Sequence, residues 1–510
     1  MRPLVSSVAC VRSPAGSGHP ELAARAIADL SDDLGELLFV ARSARARVRS
    51  TASELESARQ ELRPVTLALL LDQLAAAQLR LRALSRRLGT LREHPAAASE
   101  AGPARAAELA AAKTEIADQL RAEQALVGAL ATAADWQSPS FLHSVRPAAG
   151  RQGGRIAPHW SDYKRDRHLD ARDYERAYAA ELVDGPADVR ALLTGCGMAA
   201  FTTILASLHM AHRLRPPVVI GSALYHESKE LIERSLPGLV CQVDERNTPA
   251  LLKALGRLRP GAVFLDTLCN TRWAPMPDVP AVLDALRERD VFLVLDNTAL
   301  SASFQPFRLL REGDRVGLIV FESLLKYPQL GLDRTNAGVI LAGAGHAEAL
   351  ERDREHLGTN IGDAAVLALP PPSRRVLERR LARLGRNARL LAERLAELPR
   401  GEPRIEVVHP ALADHPSHGV ARRLGFTGGC LSIASTPERE RRFVAAALTE
   451  ARRRGVPLIG GSSFGFDTTR LYLTAAGTGH GRSFVRVAAG TEDRLAIEAL
   501  GDVLGAALRG

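Results

Sequence analysis

Between residues 21 and about 135, apolar side chains recur at intervals of three and four along stretches almost free of glycine and proline. Leu34, Leu37, Ala41, Ala44, Val48, Leu55, Ala58 and Leu62 form one such stripe, with a single gap. Leu67, Leu70, Leu74, Ala77, Leu81, Leu84, Leu88 and Leu91 form a second, and Leu109, Ile116, Leu120, Val127 and Leu130 a third. This spacing gathers the apolar groups on one face of a helix, and such a stripe needs a partner helix to be covered from water. Pro64 interrupts the first run and the stretch "HPAAASEAGPA" at 94–104 ends the second, because proline cannot continue a helix. The pattern predicts an all-α hairpin or bundle of three antiparallel helices over residues 1–137. Leucine heptads describe helix pairing, and no polar residue of the region is spaced like a lid contact. The expected role is therefore oligomerisation or docking, with the rest of the chain active on its own. The alternative is a third helix that covers the mouth of a site further along the chain.

A segment dense in Pro, Gly and Ser follows at 138–160 and reads as a linker or arm. From residue 185 the period changes. The runs "PPVVIGS", "LVCQVD", "GAVFLDT", "VFLVLDNT", "VGLIVFES" and "AGVILAG" are short, continuous and β-branched, and amphipathic helical stretches separate them. That alternation predicts an α/β architecture with a mostly parallel sheet covered on both faces. Ligands in such sheets bind beyond the carboxyl ends of the strands. The polar residues predicted there are Asp266, Asp296 with Asn297 and Thr298, and Ser323 with Lys326.

Composition singles out the last of these. Only Lys113, Lys164, Lys229, Lys253 and Lys326 are lysines among 67 basic residues. A lysine kept at the end of an apolar strand in an arginine-rich chain is either a snorkelling surface residue or one retained for amine chemistry. The formal charge of +9 comes from dispersed arginines, not from a basic tract interleaved with aromatics, so nucleic acid is not an expected partner. Cys10, Cys196, Cys241, Cys269 and Cys430 form no CxxC pair, which argues against a disulfide framework and a zinc site, and no metal is expected. The longest apolar runs are too short or too interrupted to span a bilayer, and the N-terminus has no signal-like apolar stretch. A cytoplasmic location is expected.

Four segments, in order, then carry a resemblance: "TGCGMAAFTTIL", "VFLVLDNTALSASFQPF", "ESLLKY" and "FVRVAAGTEDRLAIEALGDVL". Together they are similar to the fold-type I pyridoxal phosphate enzymes of Cys/Met metabolism, the cystathionine gamma-synthase and gamma-lyase group, from about Trp160 to the C-terminus. The resemblance implies a large cofactor-binding domain at 161–400 with a seven-stranded-type sheet, and a small α+β domain at 401–510. It implies that Lys326 carries the cofactor and moves the substrate α-proton, that Asp296 pairs with the pyridinium nitrogen, and that Gly197, Met198 and Ser323 hold the phosphate. Tyr225 would stack on the ring and act as acid or base. Tyr163 and Arg165 would reach a neighbouring subunit's phosphate, making a homodimer or homotetramer. Arg486, with Asn270 and Ser463, would bind a small amino-acid substrate. Each residue also has a plainer reading: Asp296 as a helix cap, Gly195 and Gly197 as a turn, Arg486 as a surface charge.

The chain departs from that family's pattern at several points. Leu325 stands where a threonine is usual, His226 and Glu227 follow Tyr225 in place of glycines, and "GGSSFGFDTTRLYL" at 460–473 replaces the segment framing the substrate. Phe464 and Phe466 are expected to narrow the pocket. The implied activity is elimination or replacement at the β or γ carbon of a specialised amino acid. The competing reading is a catalytically silent cofactor-binding scaffold that acts through its helical domain.

Overall fold

The structure, a computed structural model, describes residues 20–57, 64–93, 102–135, 168–186, 188–398, 405–474 and 482–509. Tyr163, Arg165, Cys10, Ala58, Leu62 and the 138–160 arm lie outside the described residues.

The heptad stripes become three long helices: α1 (Pro20–Ser57), α2 (Pro64–Glu93) and α3 (Gly102–Asp135). Pro64 opens α2 instead of merely ending α1, as suits a residue without an amide hydrogen at a first-turn position. Leu34, Leu74, Leu81, Leu88, Ile116 and Leu120 are essentially solvent-free and share one core. Arg87 pairs with Glu115, and Arg105 reaches the Leu91 carbonyl at 3.3 Å, so α2 runs antiparallel to α3. Gly102 beside Ala23 and Lys113 beside Asp33 show that α1 and α3 run the same way.

After α4 (Leu169–Leu182) the chain alternates: β1 (Val189–Thr194), α5 (Gly197–Met210), β2 (Val218–Gly221), α6 (His226–Ser235), β3 (Val240–Val243), α7 (Thr248–Leu258), β4 (Ala262–Asp266), α8 (Val279–Leu286), β5 (Phe292–Asp296), β6 (Gly317–Ser323) and β7 (Gly338–Gly343). These strands form one seven-stranded sheet in the order β1-β7-β6-β5-β4-β2-β3, antiparallel only where β7 meets β1 and β6. Successive residues of each strand face opposite cores. In β5, Leu293 and Leu295 join the core on one face while Phe292 and Val294 join the core on the other, which is why these runs are apolar throughout and do not alternate.

Helices α9 (Ala344–Leu357), α10 (Asp363–Ala368) and α11 (Arg374–Ala396) lead to a second sheet. Its elements are β8 (Glu406–Val408), α12 (His418–Ala421), β9 (Cys430–Ala434), α13 (Pro437–Arg454), β10 (Ile459–Gly460), β11 (Arg470–Thr474), β12 (Phe484–Ala488) and α14 (Arg494–Arg509), with strand order β10-β11-β12-β9-β8. Helix α11 joins the two units. Its Leu377, Leu381 and Leu384 belong to the large core, and its Leu391 and Leu395 to the small one.

A third face of α11 corrects the reading of the bundle as an independent appendage without polar contacts near the site. Asp29, Asp33 and Glu36 of α1 meet Arg386, Arg383 and Arg380 of α11, with contacts of 2.8, 3.6 and 2.6 Å. Arg121 of α3 pairs with Asp467 at 2.9 Å. Val40 packs with Leu330 and Leu332, a few residues beyond Lys326, and Leu495 of α14 lies against the bundle core.

Candidate active site

Parallel pairing of β4 with β5 sets Asp266 opposite Asp296 at the two strand ends, and β6 beside them ends at Ser323. The Asp296 Oδ1 accepts from the Thr298 amide at 2.9 Å, and the Thr298 Oγ1 accepts from the Ser323 amide at 2.9 Å. Asp266 Oδ2 accepts from the Tyr225 amide at 3.0 Å, which fixes the start of α6, while its Oδ1 is buried without a partner. Burial raises both carboxyls. The Thr298 hydrogen bonds and the nearby Lys326 amine hold Asp296 down, so it ionises first and its charge pushes Asp266 far above the usual range, with Glu245 adding to the effect.

The turn from β1 into α5 supplies the next group. Cys196 caps α5, its Sγ accepting from the Ala199 amide, and Gly197 and Met198 are the first two helical residues, whose amides have no carbonyl four residues back. Gly197 lies so close to β6 that an added Cβ would stand 2.8 Å from the Ser323 Cβ. Only glycine brings the helix N-terminus and the Ser323 hydroxyl into one cradle, and such a cradle suits an anion.

Lys326 follows three residues later. Its Nζ donates to Ser463 Oγ at 2.9 Å and lies 5.5 Å from the Phe464 ring. Burial chiefly, and then the Arg486 guanidinium, bring its pKa down to about 8 against the opposing pull of Asp296, Asp333 and Cys430. An amine so held keeps a sizeable neutral fraction near physiological pH, the form that acts as nucleophile and base.

Arg486 comes from the second sheet. Its neighbours Val485 and Val487 enter the small-domain core, so the pleat turns Arg486 the other way, toward the cleft. It is 6% exposed, and it donates from one terminal nitrogen to Asn270 Oδ1 at 3.1 Å. Its Nε is buried without a partner. A buried guanidinium with free donors is suited to an anion. Asn270, Arg486, Phe464, Tyr327, Cys430 and Leu268 line a cleft between the two sheets. Phe464 therefore does border the pocket, packing 5.2 Å from Tyr327, whereas Phe466 lies under the Arg470 guanidinium at 3.4 Å and is not among the cleft residues.

The structure thus brings Lys326, Ser463, Asp296 and Arg486 together, with Asn270 bonded to Arg486, Gly197 and the adjoining Met198 set against Ser323, Ser323 linked to Asp296 through Thr298, and Tyr225 close enough to feel the charges of Asp296 and Arg486. The Tyr225 phenol is pushed up by burial and by Glu227 and stays protonated through the neutral range. Beneath the loop after β5, Glu322 accepts from Asn297, Ser301 and Tyr178, a buried network that fixes the chain following Asp296. Sequence reasoning missed Thr298's link to Ser323, as well as Glu322, Asp266's pairing with Asp296, and the loop acid Asp467. The only signal for Asp467 was a lone acid in an otherwise small and aromatic loop.

A sequence profile of the family described as Cys/Met metabolism PLP-dependent enzyme matches residues 130–450, more than half of the chain. The chain belongs to that family. Its cofactor is pyridoxal phosphate, and the residues fit it: an amine beside a buried carboxylate, a helix N-terminus with a hydroxyl for the phosphate, and a cradle that any added Cβ would fill. The chain is 26% identical over 337 residues to the bifunctional enzyme flvA of Aspergillus flavus, a match that covers 65% of this chain and 41% of that protein. Among solved structures, cystathionine gamma synthase from Xanthomonas oryzae in complex with cystathionine aligns with a TM-score of 0.57 at 20% identity, covering 76% of this chain and 98% of that one. CalE6, a methionine gamma lyase from Micromonospora echinospora, aligns with a TM-score of 0.56 at 24% identity, covering 69% and 89%. These likenesses establish the fold. No helix among the described residues is long and apolar enough to cross a membrane.

Proposed function

We propose that the protein eliminates or replaces a substituent at the β or γ carbon of an amino acid whose α-carboxylate is bound by Arg486. The observation that carries this reading is the buried Arg486 guanidinium, which lines the cleft with its Nε unpaired and lies close enough to Lys326 for its charge, with that of Asp296, to act on the amine. The names of the similar structures, a cystathionine gamma synthase and a methionine gamma lyase, support the same class.

Bound pyridoxal phosphate supplies an electron sink that acidifies the substrate's Cα–H. Asp296, the more readily ionised of the acid pair, holds a proton on the pyridine nitrogen. Gly197, Met198 and Ser323 would hold the phosphate, and the family resemblance would have Tyr163 and Arg165 serve a neighbouring copy's phosphate, so a homodimer or homotetramer is the working unit we infer. Lys326 binds the cofactor and then carries the proton at Cα. Tyr225 would lie against the bound cofactor and, as a protonated phenol, would donate to the departing group. Arg486 forks the α-carboxylate while Asn270 and Ser463 hold its orientation. Leu325 leaves one hydroxyl contact to the phosphate missing, and His226 and Glu227 alter the mouth, so the departures point to an unusual substrate and a specialised amino-acid pathway, in a protein we place in the cytoplasm.

The test is an assay of the holoenzyme on amino acids carrying thiol, thioether and ester leaving groups at the β or γ carbon. Release of a keto acid with ammonia marks elimination, and a new amino acid in the presence of an added thiol or amine marks replacement. Absence of both products across the panel, from protein that carries the cofactor on Lys326, would reject the reading in favour of a silent scaffold.

A further inference from the structure

The loop from Ser462 to Asp467 is the only part of the described chain whose side chain accepts a hydrogen bond from the Lys326 amine. Its backbone needs support. Ser463 has φ +70° and Gly465 φ +90°, the left-handed region that a serine enters only when its surroundings hold it there. Gly465 runs against the lysine itself: an added Cβ would lie 3.0 Å from the Tyr327 amide nitrogen and 3.1 Å from the Lys326 carbonyl carbon.

What holds the loop comes partly from the N-terminal bundle. Asp467 Oδ2 accepts from Arg121 of α3 at 2.9 Å and its Oδ1 from Arg380 at 2.8 Å. Arg380 also donates to the Gly465 carbonyl at 2.9 Å, and is itself paired with Glu36 of α1 at 2.6 Å. Arg121 donates to the Gly331 carbonyl at 3.1 Å, so one guanidinium of the bundle ties together the segment after Lys326 and the loop facing it. Lys113 of α3 bonds Asp33 at 2.8 Å and Thr491 Oγ1 at 3.1 Å, and the Thr491 amide donates to the Asp467 carbonyl. The Arg380 side chain is 1% exposed. Pairs this dry are not interchangeable with surface ion pairs, since loss of one partner leaves a buried charge unmatched.

We propose that the N-terminal bundle is a positioning element for the active-site lysine, with Arg121 and Glu36 fixing the 462–467 loop so that Ser463 meets Lys326. This rests on the reading of Lys326 as the cofactor-bearing residue. It gives the bundle a role in the reaction that helix pairing alone does not. Facing Lys326 are Arg486 from β12, Asp296 from β5, Asp333 from the following segment and Cys430 from β9. Facing Asp467 are Arg380, Lys113 and Arg121, and these lower its pKa to about 2.

The experiment is a pH titration of the cofactor's visible absorbance in the full-length holoenzyme, with thermal melting alongside. Ser463 accepts from the Lys326 nitrogen at 2.9 Å, so loosening the loop changes that nitrogen's proton affinity. Arg121→Gln is expected to move the titration midpoint by about half a unit or more. Arg121→Lys, which keeps a cation on Asp467, is expected to restore most of it. Asp29→Asn breaks the part of the bundle interface formed with Arg383 and Arg386 and should lower the melting temperature while leaving the midpoint at its wild-type value. Ser463→Ala should reproduce the Arg121→Gln shift, and the double variant should shift no further, as for two groups acting through one contact. The proposal falls if Arg121→Gln and Asp29→Asn lower stability alike with neither midpoint moving, or if the double variant shows the sum of the single shifts. A wild-type protein without a Lys326-dependent band would instead sink the cofactor reading, and this proposal with it.

Discussion

Replacing Arg486 with lysine keeps the charge and removes the fork. In the structure one terminal nitrogen of Arg486 is engaged by Asn270 at 3.1 Å, which leaves the buried Nε and the other terminal nitrogen to grip a carboxylate with two parallel bonds. A lysine amine can offer a substrate oxygen one of those bonds. Losing a charge-assisted hydrogen bond costs about 1.5–3 kcal/mol, which is about a 10- to 150-fold fall in kcat/KM. The carboxylate is unchanged during reaction, so the bond is equal in ground and transition states and the loss should fall on KM. Lysine is the informative substitution because a cation stays beside Lys326, whose lowered pKa depends partly on Arg486. Arg486→Gln, by contrast, should also move the Lys326 limb of the pH profile upward, toward the ordinary amine value. The assay is steady-state kinetics on a substrate found in the panel, with the cofactor spectrum as internal control. An altered spectrum with unchanged KM would refute the argument, because it would put Arg486 on the cofactor and not on the substrate.

Lys326→Ala should abolish the borohydride-stable link to the cofactor, whereas Lys229→Ala, whose amine bonds Gln242 at 2.9 Å on the surface, should leave it intact; mass spectrometry of the reduced protein distinguishes them. Gly197→Ala drives a methyl toward Ser323 at a cost of about 1–3 kcal/mol, so cofactor affinity of the apoenzyme should fall by roughly 5- to 150-fold, and an unchanged affinity would remove α5 from the phosphate site. Lys326 titrates at about 8 in the fold and near 10.5 when unfolded. Between those values the unfolded chain holds a proton that the folded one has released, so stability of the cofactor-free protein should rise with pH there, by up to about 3 kcal/mol from this group. Denaturant melts of Lys326→Met should lack that rise, and equal slopes in both proteins would contradict it. Asp467, at about 2 in the fold against 3.8 unfolded, contributes stability that is present above pH 4 and lost as the pH falls toward 2. An Asp467→Asn variant should be less stable at neutral pH and show a smaller acid loss by the same melts.

The sequence alone determined what depends on short-range pattern. A strand or helix must hide its own apolar face, so the leucine stripes of α1, α2 and α3 and the continuous runs of β4, β5 and β6 announced their elements and their fold class. Strand ends mark sites, which is why Asp296, Ser323 and Lys326 stood out, and the scarcity of lysine made Lys326 conspicuous. Three things were decided only by tertiary structure. Lys326 meets Ser463 and the charge of Arg486 across more than a hundred residues, and no local period encodes which loop closes over which strand. The orientation of Arg486 follows from which face of β12 the small-domain core claims. The third was the bundle's part in the site. Asp29, Asp33 and Glu36 fall at helical spacing, as do Arg380 and Arg383, but charges on a helix face are satisfied equally well by water or by another helix. Apolar periodicity reports burial because water cannot compensate it; charge periodicity is silent until the partner surface is in place, so the contact from Arg121 through Asp467 toward Lys326 was legible only once α1 and α3 were seen against α11.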